Sequence, residues 1–220
     1  MEKRATRFWQ RVNDYGNDET RDPFSHSGAY HRHFQGYAEQ RVPRENGRGY
    51  RIERVYIADF YRYAETDAVW RGKKLLYVIL FLAAAGAVIL AGSRPADVNR
   101  IPAVGAAQIL AFLPMIWLLY QLVLQVTAPR RMTVGERDSA AGGFRKAAFV
   151  SGLYLMAVTV MMPVEKAIAY GALEGGDWAV IGLTLLGSGL TLLLGFLEKG
   201  RKQERVANEK TAPVGANEIW

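Results

Sequence analysis

The chain has 220 residues, a net charge of +7 and no cysteine, and 50% of its residues are hydrophobic. The absence of thiols excludes disulfides, cysteine nucleophiles, thiolate zinc sites and cysteine-ligated iron–sulfur clusters. The mean hydropathy of -0.04 is that of an ordinary soluble domain. That value averages a polar first third with a remainder that holds nearly all the long aliphatic runs, so each segment is interpreted separately.

Residues 1–50 are polar and rich in glycine and proline, which predicts a flexible cytoplasmic tail. Residues 1–20 have no apolar stretch of the signal-peptide type, so we expect the first internal apolar segment to direct insertion. The segment SHSGAYHRHF contains the three histidines of the chain, His26, His31 and His33. Clustered imidazoles bind Zn, Ni or Cu, but no acidic ligand accompanies these at a fixed spacing. We interpret the segment as a solvated loop, retain the histidines as weak metal candidates and predict no cofactor.

Residues 51–66 form a juxtamembrane segment with an amphipathic pattern. Its apolar and aromatic side chains recur at helical spacing between arginines: Ile52, Val55, Tyr56, Phe60 and Tyr63. This spacing predicts an interfacial helix on the inner leaflet. The run RVYIADFYRY is also rich in strand-forming residues, so a short strand is the alternative. In either form the segment presents apolar groups that need a partner, which is lipid, the bundle or another protein.

Four apolar runs predict transmembrane helices, each of which needs about 20 largely apolar residues. The runs contain no Asp, Glu, Lys or Arg, and they cover about residues 75–92, 101–127, 147–164 and 178–197. A buried helix of a soluble protein imitates one such run but hardly four in succession. We therefore predict an all-α integral membrane protein, with a four-transmembrane-helix bundle within residues 67–200 and a cytoplasmic tail over 201–220.

Lysine and arginine flank the four runs unequally. Among those close to the runs, twelve lie just before the first run (Arg71 to Lys74), between the second and third runs and just after the fourth (Lys199 to Arg205), whereas the other two loops carry three. By the positive-inside rule both termini are cytoplasmic (N-in/C-in) and the chain is a multi-pass protein of the cell membrane. The basic side suits anionic lipid headgroups. Because topology accounts for the positive charge, we predict no nucleic-acid partner.

Glu165 and Lys166 stand side by side after Pro163, at the end of the third run. A helix that begins at Ala147 has risen about 27 Å by Glu165, at about 1.5 Å per residue. We therefore interpret the pair as charges that reach the outer interface. The alternative is an intramembrane proton or cation site at Glu165, if Pro163 tilts that residue into a cavity of the bundle.

Small and hydroxyl side chains share one face of the fourth run: Thr184, Gly187, Ser188, Thr191 and Gly195. Small residues let helix backbones approach closely, and hydroxyls bond across the contact. We favour helix packing over a solute path here. The first run has a matching ridge of Ala83, Ala87 and Ala91, which predicts that the first and fourth helices pack together or that one of them forms a subunit interface.

The second run contains three amides and a proline. Pro114 is expected to kink the helix and to leave a carbonyl near Leu110 without its donor. The glutamines do not form one polar stripe: Gln121 and Gln125 share a face, whereas Gln108 lies about 140° from Gln121 around the helix, at about 100° per residue. Two roles are open for these three side chains, burial in helix contacts or the lining of a solute path: Gln108, Gln121 and Gln125.

The sequence contains no assembled set of catalytic residues, so we predict that the protein is not an enzyme. The favoured function is a non-catalytic subunit or regulator of a larger membrane assembly, which docks through the cytoplasmic N-terminal region and through small-residue helix faces. The partner is another membrane protein or a second copy. The alternative is a small homo-oligomeric transporter or channel, with a path lined by the glutamines of the second run and the Thr/Ser stripe of the fourth.

Overall fold

The computed structural model describes residues 37–43, 50–56, 58–169 and 171–208. They belong to two compact units. The larger unit consists of Tyr63–Arg130 and Glu136–Glu204, and the smaller unit contains the described residues of Met1–Arg62, Arg131–Gly135 and Arg205–Trp220. The histidines proposed as weak metal ligands, His26, His31 and His33, lie outside the described residues.

Four helical stretches are each long and apolar enough to cross a membrane: Asp67–Ser93, Pro102–Thr127, Val134–Ala169 and Gly175–Lys199. The prediction of a mostly helical chain with four segments able to cross a membrane is therefore confirmed. The bounds of the individual helices in chain order are α1 Asp67–Ser93, α2 Asp97–Arg100, α3 Pro102–Leu110, α4 Phe112–Thr127, α5 Val134–Arg137, a π-helical turn Asp138–Gly142, α6 Gly143–Ala169 and α7 Gly175–Lys199.

The second stretch is interrupted where Pro114 predicts a break. α3 ends at Leu110 and α4 begins at Phe112, with Ala111 between them. Because proline has no N–H, the carbonyl four residues earlier, that of Leu110, loses its helical donor. The carbonyl of Pro114 itself accepts a hydrogen bond of 2.8 Å from the hydroxyl of Ser151. This bond joins α4 to α6 inside the bundle.

Close helix contacts in the larger unit depend on glycine. A Cβ atom built on Gly187 of α7 would stand 2.9 Å from a methyl group of Val88 and 3.4 Å from the carbonyl oxygen of Ala84, both on α1. The first and fourth stretches therefore pack together, as the small ridge predicts. The ridge is displaced by about one residue at its beginning, because Ala84 is buried whereas Ala83 is exposed.

The core of the larger unit consists of apolar side chains from all four stretches. One cluster surrounds Tyr77 and Phe144, whose rings stack with centroids 5.4 Å apart. A second cluster lies around Val98 and Met162. Many large apolar side chains on the opposite helix faces are exposed, among them Leu82, Ile109 and Leu153, which is the arrangement that a lipid-facing surface requires.

Strands, which the prediction of an all-α fold did not include, occur in the smaller unit and where the chain passes between the units. β1 Tyr37–Pro43 and β2 Tyr50–Tyr56 form an antiparallel pair with Tyr37 opposite Tyr56. β3 Phe60–Tyr63, β4 Arg131–Met132 and β5 Gln203–Val206 form a second sheet in the order β4-β3-β5.

These strands decide between the two alternatives for the juxtamembrane segment. Where a helix and a strand were both open, within residues 51–66, the structure has strands over Tyr50–Tyr56 and Phe60–Tyr63, and β1 lies within residues 1–50. The physical reason is that Tyr, Ile and Val fit a pleated strand as well as an apolar helix face. The partner strands, which satisfy the backbone hydrogen bonds, come from elsewhere in the chain and leave no trace in the local pattern.

The contact of α7 with α1 gives a first prediction. Gly187→Leu would force a side chain into Val88 and the backbone of α1, so we expect a loss of about 1–3 kcal/mol in the free energy of unfolding in detergent. Gly189→Leu is the matched control, since nothing lies within 4 Å of its Cβ position. Equal destabilisation by the two substitutions would contradict the packing described for α7.

Candidate functional site

Four charged side chains of the larger unit are buried, and they lie at the two ends of the bundle: Lys166, Asp177, Glu198 and Arg201. Asp177 and Glu198 are at opposite ends of α7, and their separation along the helix is about 32 Å at about 1.5 Å per residue. This is close to the thickness of the hydrocarbon layer, about 30 Å. The Glu198 cluster at one end consists of Tyr63, Glu65, Tyr77, Gln125, Glu198 and Arg201. The Lys166 cluster at the other end consists of Asp97, Lys166 and Asp177.

The Glu198 cluster is centred on a carboxylate in the last turn of α7. Oε1 of Glu198 accepts a hydrogen bond of 2.7 Å from the hydroxyl of Tyr63, and Oε2 accepts one of 2.9 Å from the hydroxyl of Tyr77. Oε2 also accepts from a guanidinium nitrogen of Arg201 at 3.3 Å. A buried carboxylate is stable only with such donors, and here they come from the start and the end of the bundle sequence.

Arg201 joins this carboxylate to a second one. Two of its nitrogens donate to the two carboxylate oxygens of Glu65, at 3.3 and 3.0 Å. Its guanidinium carbon lies 3.6 Å from the centre of the Tyr63 ring, a cation–π contact. Lys73 also forms an ion pair with Glu65. The guanidinium is thus fixed in one orientation by a bidentate partner and a stacked ring.

The charges of this cluster are mutually stabilised. Burial raises the pKa of Glu65, but the hydrogen bonds from Lys73 and Arg201 outweigh it and hold the pKa below its ordinary value. Burial lowers the pKa of Arg201, but the hydrogen bonds to Glu65 and the charge of Glu198 raise it above the ordinary value. Burial and the charge of Glu198 raise the pKa of Tyr63, so its hydroxyl keeps the proton that it donates.

The three glutamines of the second stretch are not brought together. Gln125 is buried in the Glu198 cluster and donates to the hydroxyl oxygen of Tyr63 at 3.0 Å. Gln121 fills the space left by the missing side chain of Gly143. Gln108 is at the other end of the bundle, where it donates to the Oδ1 atom of Asn99 at 2.9 Å. The Oε1 atoms of Gln121 and Gln125 are buried without a partner in the described part of the chain.

The predicted stripe of the fourth stretch lies inside the protomer. The hydroxyl of Ser188 crosses to α6 and donates to the carbonyl oxygen of Gly152 at 2.9 Å. The hydroxyls of Thr184 and Thr191 donate to carbonyls of their own helix, at 2.9 and 2.8 Å. The five members of the stripe are all buried: Thr184, Gly187, Ser188, Thr191 and Gly195.

The Lys166 cluster was not predicted from the sequence. The Nζ atom of Lys166 lies 3.3 Å from a carboxylate oxygen of Asp97 and 3.4 Å from one of Asp177. Asp177 also accepts from the backbone nitrogens of Val98 and Glu174, at 2.9 and 3.1 Å. It thereby caps the first turn of α7 in a capping box with Glu174.

The sequence interpretation of Lys166 as a charge that merely reaches the interface is corrected by this cluster. The side chain of Lys166 is 2% exposed. It turns inward because it pairs with the carboxylates of Asp97 and Asp177, which lie far away in sequence. Glu165 is half-buried, and as an adjacent residue it points in another direction. The sequence does offer a signal for this cluster. Asp97 begins α2 and Asp177 lies in the first turn of α7, so both are acidic residues at the same end of the bundle as Lys166.

The residues predicted to dock a partner are separated by the structure. Tyr63 is buried in the Glu198 cluster, where a partner has no access to it. Ile52 and Val55 lie in β2. Tyr56 organises the smaller unit, since its ring contacts those of Tyr37 and Phe60 at centroid distances of 5.1 and 5.0 Å.

The backbone and hydroxyl of Tyr56 add further bonds within the smaller unit. The hydroxyl donates to the carbonyl of Asp59 at 2.9 Å and accepts from the backbone nitrogen of Val134 at 3.1 Å. The carbonyl oxygen of Tyr56 accepts from the amide of Asn208 at 2.8 Å. Three distant stretches of the chain therefore meet at this one residue.

Metal binding has no support among the described residues, because no group of three or more His, Cys, Asp or Glu side chains is close enough to hold an ion. The buried carboxylates of the two clusters are already occupied by lysine, arginine, tyrosine and backbone donors. The chemistry that this arrangement performs is therefore the neutralisation of charge at the ends of apolar helices.

The Glu198 cluster gives a second prediction. Glu198→Ala leaves the hydroxyls of Tyr63 and Tyr77 without their acceptor, so we expect a loss of about 2–4 kcal/mol in the free energy of unfolding in detergent. Lys199→Ala, at the next and exposed position, is the control and should change this value by less than about 0.5 kcal/mol. Similar losses in both variants would show that the carboxylate is not buried as described.

The depressed pKa of Glu65 gives a third prediction, on acid stability. Its carboxylate stabilises the fold above the unfolded pKa of 4.5, and this contribution is lost as the pH falls through the lower folded value. Between about pH 6 and about pH 3 we expect the Tm of the wild type to fall further than that of Glu65→Gln, because the loss occurs below the unfolded pKa of 4.5. Glu204→Gln, at an exposed position, should follow the wild type, and parallel curves for all three proteins would refute the ion pair.

Comparisons with known proteins identify no relative from which a role is transferred. No family model, no curated protein and no solved structure matches the chain. The function is therefore argued from the two clusters, the packed bundle and the smaller unit alone.

Proposed function

We propose that the protein is a non-catalytic subunit or regulator of a larger membrane assembly. It spans the cell membrane four times with both termini in the cytoplasm, and it docks its partner through the smaller unit. The observation that carries this proposal is that the hydroxyls of the α7 stripe and the buried charged side chains are used in internal contacts. A scaffold needs such a bundle, whereas a conduit needs polar groups that remain available to a solute.

The strand pairing supports an even number of crossings. Tyr61 of β3 is paired with Met132 of β4. β3 precedes the first spanning stretch and β4 follows the second, so the two crossings between them return the chain to the same side. The Lys166 cluster supports the same threading at the other end, because it joins the loop after α1 to the ends of α6 and α7. The excess of lysine and arginine on the side of the strands supports its cytoplasmic location.

The placement of the stripe on α7 favours the subunit over the alternative of a transporter or channel. A path between subunits needs side chains on the outer surface of the protomer. Ser188 and Thr191 are 0% exposed, and Gln125 is 2% exposed, so none of them reaches that surface. Gln108 is bonded to Asn99 at the opposite end of the bundle from Gln125, which leaves no continuous polar line along the second stretch.

The smaller unit is the docking surface that this proposal names. It gathers residues from before the first spanning stretch, from the loop after the second and from the C-terminal segment, so a partner that binds it contacts all of them at once. Asp59, Arg131 and Arg205 are exposed there. The partner contact is therefore expected to be polar at its margin and to include the aromatic rings of Tyr37, Tyr56 and Phe60.

A crosslinking experiment tests the docking side as a fourth prediction. A photoreactive phenylalanine analogue at Asp59 should form an adduct with a foreign membrane subunit that also copurifies in mild detergent at fixed stoichiometry. The same analogue at Arg94, which is exposed in the loop after α1, is the control and should not form that adduct. The measurement is mass spectrometry of the crosslinked and of the native complex.

Two results would contradict the proposal. Adducts only between copies of this chain, with no foreign subunit in the native complex, would replace the heteromeric assembly with a homo-oligomer. Flux of ions or small solutes through the purified protein in liposomes would show that the bundle opens a path, and the role as a non-catalytic subunit would be wrong.

A further inference from the structure

A cleft of about 300 Å³ lies in the larger unit beside the Glu198 cluster. One wall is the π-helical turn with the residues that flank it, and the other is the end of α7 with the residues that follow. The lining consists mainly of charged side chains with a few small residues: Arg137, Asp138, Ala141, Gly142, Arg145, Glu198, Lys199, Arg201 and Gln203.

The charges that line this cleft do not balance. Four cations face two carboxylates. Glu198 is already bonded to Arg201 at 3.3 Å and Asp138 to Arg137 at 2.6 Å. Arg145 and Lys199 are exposed and form no ion pair with any described residue. The cleft therefore keeps an excess of two positive charges, which attracts a compact anion.

One of the four cations is held in place before any ligand arrives. Arg201 is fixed by Glu65, by Glu198 and by the ring of Tyr63, as described above. The side chain of Arg201 is 1% exposed and pairs with Glu65 and Glu198, so it forms a fixed part of the wall. The exposed Arg145 and Lys199 are the cations that suit the oxygens of a phosphate group. Gly142 leaves the cleft open, because nothing lies within 4 Å of its Cβ position.

The level of the cleft relative to the membrane favours a lipid headgroup over a soluble anion. Arg145 and Lys166 are at opposite ends of α6, about 32 Å apart at about 1.5 Å per residue. Arg145 therefore lies just beyond one edge of a hydrocarbon layer of about 30 Å, at the level of lipid headgroups. Basic pockets between helices at this level are the places where anionic headgroups bind.

We propose that this cleft binds the phosphate headgroup of an anionic phospholipid, with Arg145 and Lys199 as the ligating cations and the buried Arg201 as a fixed part of its wall. The site goes beyond the proposed role as a subunit and does not require it, since the purified protein in a bilayer is sufficient to test it. The crosslinking experiment tests the partner and the lipid-retention experiment below tests this site, so failure of one proposal is distinguishable from failure of the other.

The test uses the purified full-length protein in nanodiscs of phosphatidylcholine with and without phosphatidylglycerol. Native mass spectrometry after release should show phosphatidylglycerol retained by the wild type. A charge-assisted hydrogen bond from a cleft cation to the phosphate contributes more than about tenfold to the retention of the lipid. Arg145→Gln and Lys199→Gln should therefore each reduce retention more than about tenfold, and the double variant more than either.

Two neighbouring lysines serve as matched controls. Lys146→Gln and Lys202→Gln remove the same charge from exposed positions that do not line the cleft. They lose only diffuse surface attraction, so they should each reduce retention by no more than about fivefold. Gly142→Leu, which fills the cleft without a change of charge, should also reduce retention. Circular dichroism and the Tm of each variant show whether the bundle is still folded.

Three outcomes would overturn the proposal. Equal losses in the cleft variants and the lysine controls would mean that only diffuse surface charge attracts the lipid. An absence of retained phosphatidylglycerol in the wild type would mean that no lipid site exists. Protection of the Tm by inorganic phosphate in detergent, reduced by Arg145→Gln but with no retention of phosphatidylglycerol, would assign the cleft to a soluble phosphate.

Discussion

Lipid offers no hydrogen bond to a polar side chain, so each polar group of a membrane bundle must find its partner within the protein. This constraint accounts for the positions of the hydroxyls on α7 and of the two buried clusters. Ser188 reaches the carbonyl of Gly152 on a neighbouring helix. The buried charged side chains are confined to the helix ends, where Glu198 and Asp177 are separated by about one hydrocarbon thickness.

The Glu198 cluster connects the beginning of the bundle to its end. Tyr63 comes just before α1 and Arg201 just after α7, and both are bonded to the same carboxylate. The first and last spanning helices are therefore joined at one end by ions as well as by close packing at Gly187. The same cluster orients Arg201 towards the basic cleft, so a stabilising contact also shapes the surface where we propose that a headgroup binds.

The Lys166 cluster has the corresponding role at the other end of the bundle. Asp177 neutralises Lys166 and accepts two backbone N–H groups, which joins the start of α7 to α2. Breaking one member of such a buried set leaves the others uncompensated. With Glu198 paired to Arg201 and Asp138 to Arg137, the uncompensated cations that line the cleft of the larger unit are Arg145 and Lys199, among the residues that the structure describes.

The sequence by itself determined the four spanning helices, the break near Pro114 and the small face of α7, because length, apolarity and helical spacing are local properties that lipid enforces along each segment. Only the tertiary structure decided that Lys166 turns inward, that Tyr63 is buried beneath Arg201 and that residues 50–56 form a strand. Each of these depends on a partner outside the segment itself. Asp97 and Asp177 hold Lys166 and Glu198 holds Tyr63 from far away in the chain, and the neighbouring strand β1 pairs with residues 50–56. A local pattern contains no information about which distant group will satisfy a charge, a hydroxyl or a backbone N–H.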